Sequence, residues 1–239
     1  MSSVEAAHPI EAVILDVGGV LLIPHADVVS EALSGFGVRI DHALAERAHF
    51  VAIAALDTAD SETGFLKYRE AYAQAIGIPE KDTEAALERM QELWGGRTSD
   101  LWRQPVSGSV DGLRELARRN LKLGIVSNSD GTVEEQLRTR EICQVGEGLG
   151  VPVLAIIDSH VVQVAKPAAE IFQHALEPIG VAPERALYVG DTVRYDVNGA
   201  RAAGLWPIHF DPFELCQQRD DHAHVRRIGE LDEILGSDG

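Results

Sequence analysis

Cysteine and long apolar runs are scarce in this sequence, and their scarcity limits where the protein is expected to work. The two cysteines, Cys143 and Cys216, lie in different contexts and lack metal-ligand spacing. We therefore expect two unreactive thiols in a reduced, cytoplasmic setting. The apolar runs are far shorter than a bilayer span, and the first ten residues lack the basic region and apolar core of a secretion signal. Neither a membrane protein nor a secreted protein is expected.

Basic residues are also few, with 21 Lys and Arg against 38 Asp and Glu and a formal net charge of −17. Nucleic-acid backbones need clustered Lys and Arg, which the sequence lacks, so a nucleic-acid partner is not expected. A small phosphorylated substrate stays possible, because a metal ion and one or two local cations can reverse the field inside a cleft. With 239 residues, the chain has room for one full-sized domain, or for one domain and a small insertion.

Short apolar runs recur along the chain, and each ends in a polar or glycine-rich turn. These runs are residues 12–15, 121–126, 153–157, 186–189 and 206–210, the last weakened by Pro207. Runs of this length are typical of strands buried on both faces. Helical patterns separate these runs. One pattern is Val110, Leu113 and Leu116, and another is Ile171, Ala175 and Ile179. The alternation predicts an α/β fold with a doubly wound parallel sheet, whose ligands bind beyond the carboxyl ends of the strands.

Between Pro24 and about Asp100 the strand pattern disappears and three helical stripes replace it. The stripes are Leu44, Ala48, Val51, Ala55; then Phe65, Tyr68, Tyr72, Ile76; then Leu87, Met90, Trp94. We expect an α/β core of residues 10–24 and 100–213, an inserted all-α unit of residues 25–99, and a polar C-terminal tail of residues 214–239. We also expect one short helix in this tail, near residues 228–235.

Polar residues that suit phosphate chemistry follow the predicted strands. Asp16 opens the sequence DVGGVL, Ser127 and Asn128 follow a strand, and Lys166 precedes a helix. The segment GDTVRYD, residues 190–196, supplies two carboxylates five residues apart, and two acidic groups near Asp16 would suit Mg²⁺. Taken singly, each element is also common in turns, helix caps and solvated surfaces.

Together and in this order, the elements resemble the haloacid dehalogenase superfamily, over roughly residues 10–24 and 100–213. The likeness is especially close in GDTVRYDVNGARAAGL, residues 190–205. The inserted unit resembles a helical cap of the C1 type, and the first motif is a DxGGV variant. The resemblance implies a Rossmann-like core, a small phosphorylated substrate, and a monomer or homodimer.

The resemblance also implies roles for these residues. Asp16 would attack phosphorus and form an aspartyl-phosphate. Ser127, Asn128 and Lys166 would bind the phosphoryl group, and Lys166 would also serve catalysis. The predicted Mg²⁺ ligands are Asp16, the Gly18 carbonyl, Asp191, and Asp196 either directly or through water.

Gly18 departs from the family pattern. Phosphatases of the superfamily usually carry an aspartate two residues after the nucleophile, which protonates the leaving oxygen and then activates water. Gly18 has no side chain, although its carbonyl can still bind a metal. General acid–base help, typically about 10²–10⁴-fold, is therefore in question.

Three hypotheses follow from this departure. In the first, the protein is a phosphatase whose substrates need little protonation, or in which another residue such as His25 supplies the proton. In the second, it is a 2-haloacid dehalogenase, although the Asp191 and Asp196 pair argues against a metal-free reaction. In the third, it is a phosphate-binding or regulatory module with little turnover.

Four further residues are expected to play lesser roles. Asp57 and Asp60 are interpreted as loop or helix-end charges of the cap. His222 and His224 are interpreted as parts of a solvated tail, with metal contact as the alternative.

Overall fold

A computed structural model describes residues 9–60 and 62–236. The first eight residues, on which the absence of a secretion signal was judged, lie outside the described residues. The strands are β1 (Ala12–Leu15), β2 (Leu22–Pro24), β3 (Trp102–Pro105), β4 (Lys122–Ser127), β5 (Cys143–Val145), β6 (Val151–Val153), β7 (Ala155–Asp158), β8 (Ala186–Gly190), β9 (Trp206–Phe210) and β10 (Ala223–Val225). No helix in the described ranges is long and apolar enough to cross a membrane.

The helices frame these strands in chain order. They are α1 (Ala26–Ala32), α2 (His42–Thr58), α3 (Gly64–Ala75), α4 (Thr83–Trp94), α5 (Thr98–Leu101), α6 (Ser109–Leu116), α7 (Val133–Thr139), α8 (Ser159–Val162), α9 (Glu170–Ile179), α10 (Asn198–Ala202) and α11 (Leu231–Leu235). A single π-helical turn, Val193–Val197, leads into α10.

Within the described residues, six strands form one parallel sheet in the order β10-β9-β8-β1-β4-β7. The doubly wound α/β fold is therefore confirmed. After β1 the chain builds β4 and β7 on one side, then returns to build β8, β9 and β10 on the other. This switch point lies beside β1, where such sheets bind their ligands.

Both faces of β1 are buried, which explains why its sequence is a continuous apolar run. Val13 and Leu15 belong to one hydrophobic cluster, and Ile14 belongs to the cluster on the opposite face. Helix α6 packs on the first face and α9 on the second. The predicted helical faces of α6 and α9 are thus confirmed.

The predicted strand over residues 153–157 is split in the structure. Val153 ends β6, which pairs with β5 in a separate two-stranded sheet, whereas β7 joins the main sheet beside β4. The prediction merged two strands because their apolar runs are continuous in sequence.

Helices α2, α3 and α4 confirm the three predicted helical segments between Pro24 and Asp100, and most of their buried residues form a hydrophobic cluster with α1. The predicted face of α3 is wrong at Phe65, which is 59% exposed. The predicted face of α2 is only partly correct. Ala48 is buried, but Leu44, Val51 and Ala55 are only partly so, because α2 packs against both α3 and strand β2, which pairs with β3 outside the main sheet. The division into core, cap and tail stays a prediction.

The C-terminal segment is more ordered and more buried than the sequence predicted. The predicted short helix is confirmed as a 3₁₀ turn, Ile228–Glu230, followed by α11. However, β10 adds an unpredicted strand to the main sheet, and the side chain of His222 is fully buried. The interpretation of this histidine as solvated is therefore wrong, because β10 folds it against β9.

Candidate active site

The parallel register brings three predicted polar residues to one edge of the sheet. Asp16 follows β1, Ser127 ends β4, and Asp191 follows β8. Because β8, β1 and β4 are neighbours, their carboxyl ends are adjacent. All three residues are buried, and all three line one cleft.

Lys166 reaches this edge from the loop before α9 and joins two carboxylates. Its Nζ lies 2.7 Å from Asp16 Oδ2 and 2.6 Å from Asp196 Oδ1, and donates to the Tyr188 hydroxyl at 2.9 Å. The lysine side chain is 2% exposed. Burial alone would lower the pKa of Lys166, but the carboxylates of Asp16 and Asp196 outweigh it and raise that pKa. The ammonium group is therefore charged and held in place.

Asp196 lies within the turn Val193–Val197 and is held by the N-cap residue of that turn, Thr192. Its Oδ2 accepts hydrogen bonds from the Thr192 backbone N–H at 2.9 Å and from the Thr192 hydroxyl at 2.5 Å. A Cβ on Gly190 would lie 2.2 Å from the Asp196 carboxyl carbon, so only glycine fits there. Burial opposes ionisation of Asp196, yet Lys166 and Thr192 hold its pKa below the usual range. The Asp196 carboxylate is therefore ionised and fixed.

A cap residue that the sequence analysis did not identify contacts Asp191. His49 of α2 is fully buried, with its Nε2 3.1 Å from Asp191 Oδ2 and its Nδ1 2.9 Å from the Tyr68 hydroxyl. Burial lowers the pKa of His49 to about 3, so its ring is neutral. Gly19 makes room for this contact, because its backbone has φ +70° and an added Cβ would meet Asp191 Oδ2 at 1.8 Å.

The carboxyl cluster would carry more negative charge than its protein partners neutralise if all three carboxyl groups were ionised. Asp16, Asp191 and Asp196 place ligand oxygens within 4.8 Å of one another, and Lys166 contacts Asp16 and Asp196. Burial raises the pKa of Asp16 to about 7, and burial together with Asp196 raises that of Asp191. Such a buried set of hard oxygen donors with surplus negative charge fits a divalent cation such as Mg²⁺.

Gly18 lies at the cleft wall beneath an aromatic ring. An added Cβ on Gly18 would lie 3.4 Å from Trp102 Cζ3, which is an ordinary contact. Gly18 is not among the glycines with positive φ, unlike Gly19. The position therefore has room for a small side chain, and Trp102 covers it.

Two other predicted residues have partners that limit their roles. The Asn128 side chain donates to the Lys166 carbonyl at 3.1 Å and accepts from the Lys166 N–H at 2.8 Å. Asn128 thus fixes the lysine loop while it lines the cleft. His25 is the N-cap of α1, where its Nδ1 accepts from the Asp27 N–H, and it is not among the residues lining the cleft.

The two acidic residues at the end of α2 differ in role. Asp60 caps a local turn by accepting from Thr63, as expected. Asp57 instead connects cap and core, because it accepts from the N–H groups of Val193 at 2.8 Å and Arg194 at 3.0 Å. It therefore holds the cap helix against the turn after Asp191.

The cleft has a volume of about 610 Å³. Core residues form its floor, whereas α3 and α4 supply aromatic side chains and one cation. These cap residues are Phe65, Tyr68, Arg69 and Trp94. Arg69 Nε is buried and has no hydrogen-bond partner within the described part of the chain.

Similarity to known proteins agrees with this geometry. The family model for haloacid dehalogenase-like hydrolases matches residues 10–204. A phosphoserine phosphatase from Thermus thermophilus is 31% identical over 169 residues, which are 70% of this chain and 62% of that enzyme. The chain spans about half the length of other curated relatives that it matches.

Solved structures share the fold. A HAD phosphatase from Thermococcus onnurineus has a TM-score of 0.55 at 23% identity, covering 95% of this chain and 98% of that chain. A 2-haloacid dehalogenase from Pseudomonas syringae has the same TM-score at 20% identity, covering 95% and 98%. The fold alone thus does not separate the two chemistries. The family match over most of the chain shows that this protein belongs to the haloacid dehalogenase-like hydrolases.

Proposed function

We propose that the protein hydrolyses a small phosphorylated metabolite with the help of Mg²⁺ and through an aspartyl-phosphate on Asp16. The observation that carries this proposal is the buried cluster of Asp16, Asp191, Asp196 and Lys166, of which Asp16 and Asp191 line the cleft. Its position at the switch point of the sheet supports the same role. The similarity to phosphatases agrees with it.

Asp16 is the proposed nucleophile. A carboxylate oxygen of Asp16 would attack phosphorus, forming an oxygen–phosphorus bond while the bond to the leaving oxygen breaks. Water then attacks the same phosphorus and releases phosphate and free Asp16. The Val17 N–H donates to Asp16 Oδ1 at 2.7 Å and Lys166 contacts Oδ2, so both oxygens are oriented before substrate binds.

Lys166 and Ser127 are proposed to hold the phosphoryl oxygens. Lys166 is positioned by Asp196 and Tyr188, so its charge is aimed at the Asp16 carboxylate without reorganisation. Ser127 ends the neighbouring strand and lines the same cleft. A phosphoryl group on Asp16 would therefore meet a fixed cation and a hydroxyl.

Asp16, Asp191 and the Gly18 carbonyl are the proposed Mg²⁺ ligands. The ion would offset the charge of the carboxylates and of the phosphoryl oxygens. Both oxygens of Asp196 already accept hydrogen bonds, from Lys166 and from Thr192. We therefore assign Asp196 mainly to positioning Lys166, with any metal contact through water.

The substrate is proposed to be small, since the cleft has a volume of about 610 Å³ and is lined by the aromatic residues Phe65, Tyr68 and Trp94. Because Gly18 supplies no acid, the leaving oxygen must take its proton from solvent, from the substrate, or from a cap residue. Esters and anhydrides with stable leaving groups are the favoured substrates.

The test is a screen of aryl, sugar, nucleoside and acyl phosphates with Mg²⁺ and with EDTA, alongside halide release from a 2-haloacid. Phosphate release that needs Mg²⁺ is expected. Halide release that resists EDTA would replace the proposal with dehalogenase chemistry. Phosphate binding without turnover of any substrate would replace it with a phosphate-binding module. The cytoplasmic location and the monomeric or homodimeric state stay predictions.

A further inference from the structure

Four metal-ligating side chains meet beside strands β9 and β10. They are His209, Cys216, His222 and His224, with ligand atoms within 4.8 Å of one another. The strand register explains why two of them are close together, because His209 of β9 and His224 of β10 are paired neighbours in parallel strands. We call these four residues the histidine–cysteine cluster.

The loop between the two strands brings the other members into place. Asp211 accepts from the N–H groups of Leu215 at 2.8 Å and Cys216 at 3.1 Å, which folds the loop back towards β9. Arg219 also contacts Asp211, at 3.1 Å. The position of the Cys216 thiol is therefore set by hydrogen bonds that need no metal.

Two distances within the cluster are close to those of a tetrahedral site. His209 Nδ1 lies 3.1 Å from His222 Nε2, and Cys216 Sγ lies 3.7 Å from the same nitrogen. With Zn–N of about 2.05 Å and Zn–S of about 2.3 Å, tetrahedral geometry separates two nitrogens by about 3.3 Å and nitrogen from sulfur by about 3.6 Å. These two separations thus differ from the tetrahedral values by only a few tenths of an ångström.

The protonation state of His209 is fixed by the backbone of the active site. Its Nε2 lies 2.8 Å from the Asp191 carbonyl oxygen, so Nε2 carries the proton and Nδ1 presents a lone pair to the cluster. Metal-binding histidines commonly have this arrangement, in which the other ring nitrogen donates to a carbonyl.

His224 provides an independent observation. Both of its ring nitrogens are buried and lack a hydrogen-bond partner in the described part of the chain, and Nδ1 lies 3.7 Å from Asp211 Oδ2. His222 Nδ1 likewise lacks one, 3.8 Å from Asp221 Oδ2. A buried imidazole without partners is costly, and a bound cation would remove part of that cost.

We propose that the histidine–cysteine cluster binds one divalent transition-metal ion of the Zn²⁺ type, separate from the carboxylate site. Imidazole and thiolate ligands select such ions over Mg²⁺. The Cys216 thiol loses its proton to solvent as the metal–sulfur bond forms. The ion would bind β10 and the preceding loop to β9, and through His209 it would stabilise the backbone at Asp191.

Cobalt titration tests the proposal directly. Full-length protein, freed of metal with chelator, is titrated with Co²⁺ and followed by absorption spectroscopy. One equivalent of Co²⁺ should produce a thiolate-to-cobalt charge-transfer band and intense tetrahedral bands in the visible. Zn²⁺ should abolish these bands, whereas excess Mg²⁺ should leave them unchanged.

Matched variants locate the site. The charge-transfer band should disappear in Cys216→Ser and persist in Cys143→Ser, because Cys143 is buried on β5 and does not belong to the histidine–cysteine cluster. His224→Gln should weaken Co²⁺ binding at least tenfold. Asp16→Asn should retain the band, so failure of the proposed hydrolysis would leave this inference standing.

Three results would overturn the proposal: no charge-transfer band in the unaltered protein, a band retained in Cys216→Ser, or a band displaced by Mg²⁺. If Cys216→Ser does not fold, hydrogen exchange of the unaltered protein decides the question. Zn²⁺ should then slow amide exchange over residues 213–225, and unchanged exchange would count against the site.

Discussion

His49 Nε2 lies 3.1 Å from Asp191 Oδ2, so helix α2 contacts the carboxylate that follows strand β8. The Tyr68 hydroxyl occupies the other nitrogen of the ring. When Asp191 is ionised, neutral His49 donates its Nε2 proton to it, and Tyr68 donates to Nδ1. A continuous series of hydrogen bonds therefore runs from Tyr68 of α3 through His49 of α2 to Asp191 at the proposed metal site.

From these hydrogen bonds we predict that His49 controls the affinity for Mg²⁺. His49→Leu should weaken the apparent affinity for Mg²⁺ by about 10–100-fold, because Asp191 loses the donor that orients it. His49→Gln, whose amide can reach the same oxygen, should recover part of the loss. Mg²⁺-dependence of phosphate release and calorimetric Mg²⁺ binding measure both effects. Unchanged affinity in a folded His49→Leu protein would limit His49 to packing.

Asp16→Asn tests the nucleophile. The substitution keeps the size but removes the attacking charge, so turnover should fall on the order of 10³-fold or more. The protein should stay folded, since Asp16 carries a raised pKa and its charge is costly in the metal-free cluster. Asp111→Asn, at an exposed position on α6, is the matched control. Turnover close to that of the control would refute the role of Asp16.

Mg²⁺ affinity should depend on pH. Burial raises the pKa of Asp16 to about 7, and Mg²⁺ binds the ionised carboxylate. Protons therefore compete with Mg²⁺ below that value, and the apparent affinity should fall severalfold between about pH 7 and pH 6, with the raised pKa of Asp191 acting in the same direction. Titration calorimetry in matched buffers measures the apparent Mg²⁺ affinity at each pH. Asp16→Asn should flatten the dependence, and a flat profile in the unaltered protein would contradict the assignment.

Much of the core site follows from one rule, because carboxyl ends of neighbouring parallel strands meet at one edge. Asp16, Ser127 and Asp191 were found in this way, and the structure places them together. Lys166 was found only through the family resemblance, since a lone lysine in a loop has no local signal. Its partners explain its burial, and they lie far from it in sequence.

The cap contact and the last strand were not predictable for physical reasons. His49 is one polar residue within an apolar helix, and only the packing of α2 against the core brings it to Asp191. Tyr68 belonged to a predicted stripe, but the stripe indicated burial and not a hydrogen bond. Strand β10 has three residues, too few to show a period, and pairing with β9 defines it.

Arg69 is predicted to bind a second anionic group of the substrate. It lines the cleft from α3, and its buried Nε lacks a hydrogen-bond partner within the described ranges. Arg69→Ala should raise KM about tenfold or more for substrates with such a group, with little change in kcat. Arg89→Ala, exposed on α4 and paired with Glu92, is the control. An equal KM for both variants would exclude this role.

Gly18 determines how strongly the rate depends on the leaving group. With no acid at this position, aryl and acyl phosphates should react much faster than alkyl phosphates, and Gly18→Asp should selectively accelerate the alkyl esters by up to about 10²-fold. The backbone permits the change, because Gly19 and not Gly18 has positive φ. The neighbouring Trp102 ring leaves an ordinary contact distance of 3.4 Å for the new Cβ.

Gly18→Asn separates acid catalysis from the effect of a larger side chain. It has nearly the same shape as the aspartate but no acidic proton, so it should not accelerate alkyl esters. Steady-state rates are measured at saturating Mg²⁺ for substrates with a series of leaving-group pKa values. For each protein, the slope of the logarithm of the rate against this pKa gives the dependence on the leaving group. A shallow slope with substantial rates in the unaltered protein would mean that another group already donates the proton. Equal acceleration by Gly18→Asn would show that the aspartate acts by filling space beside Trp102.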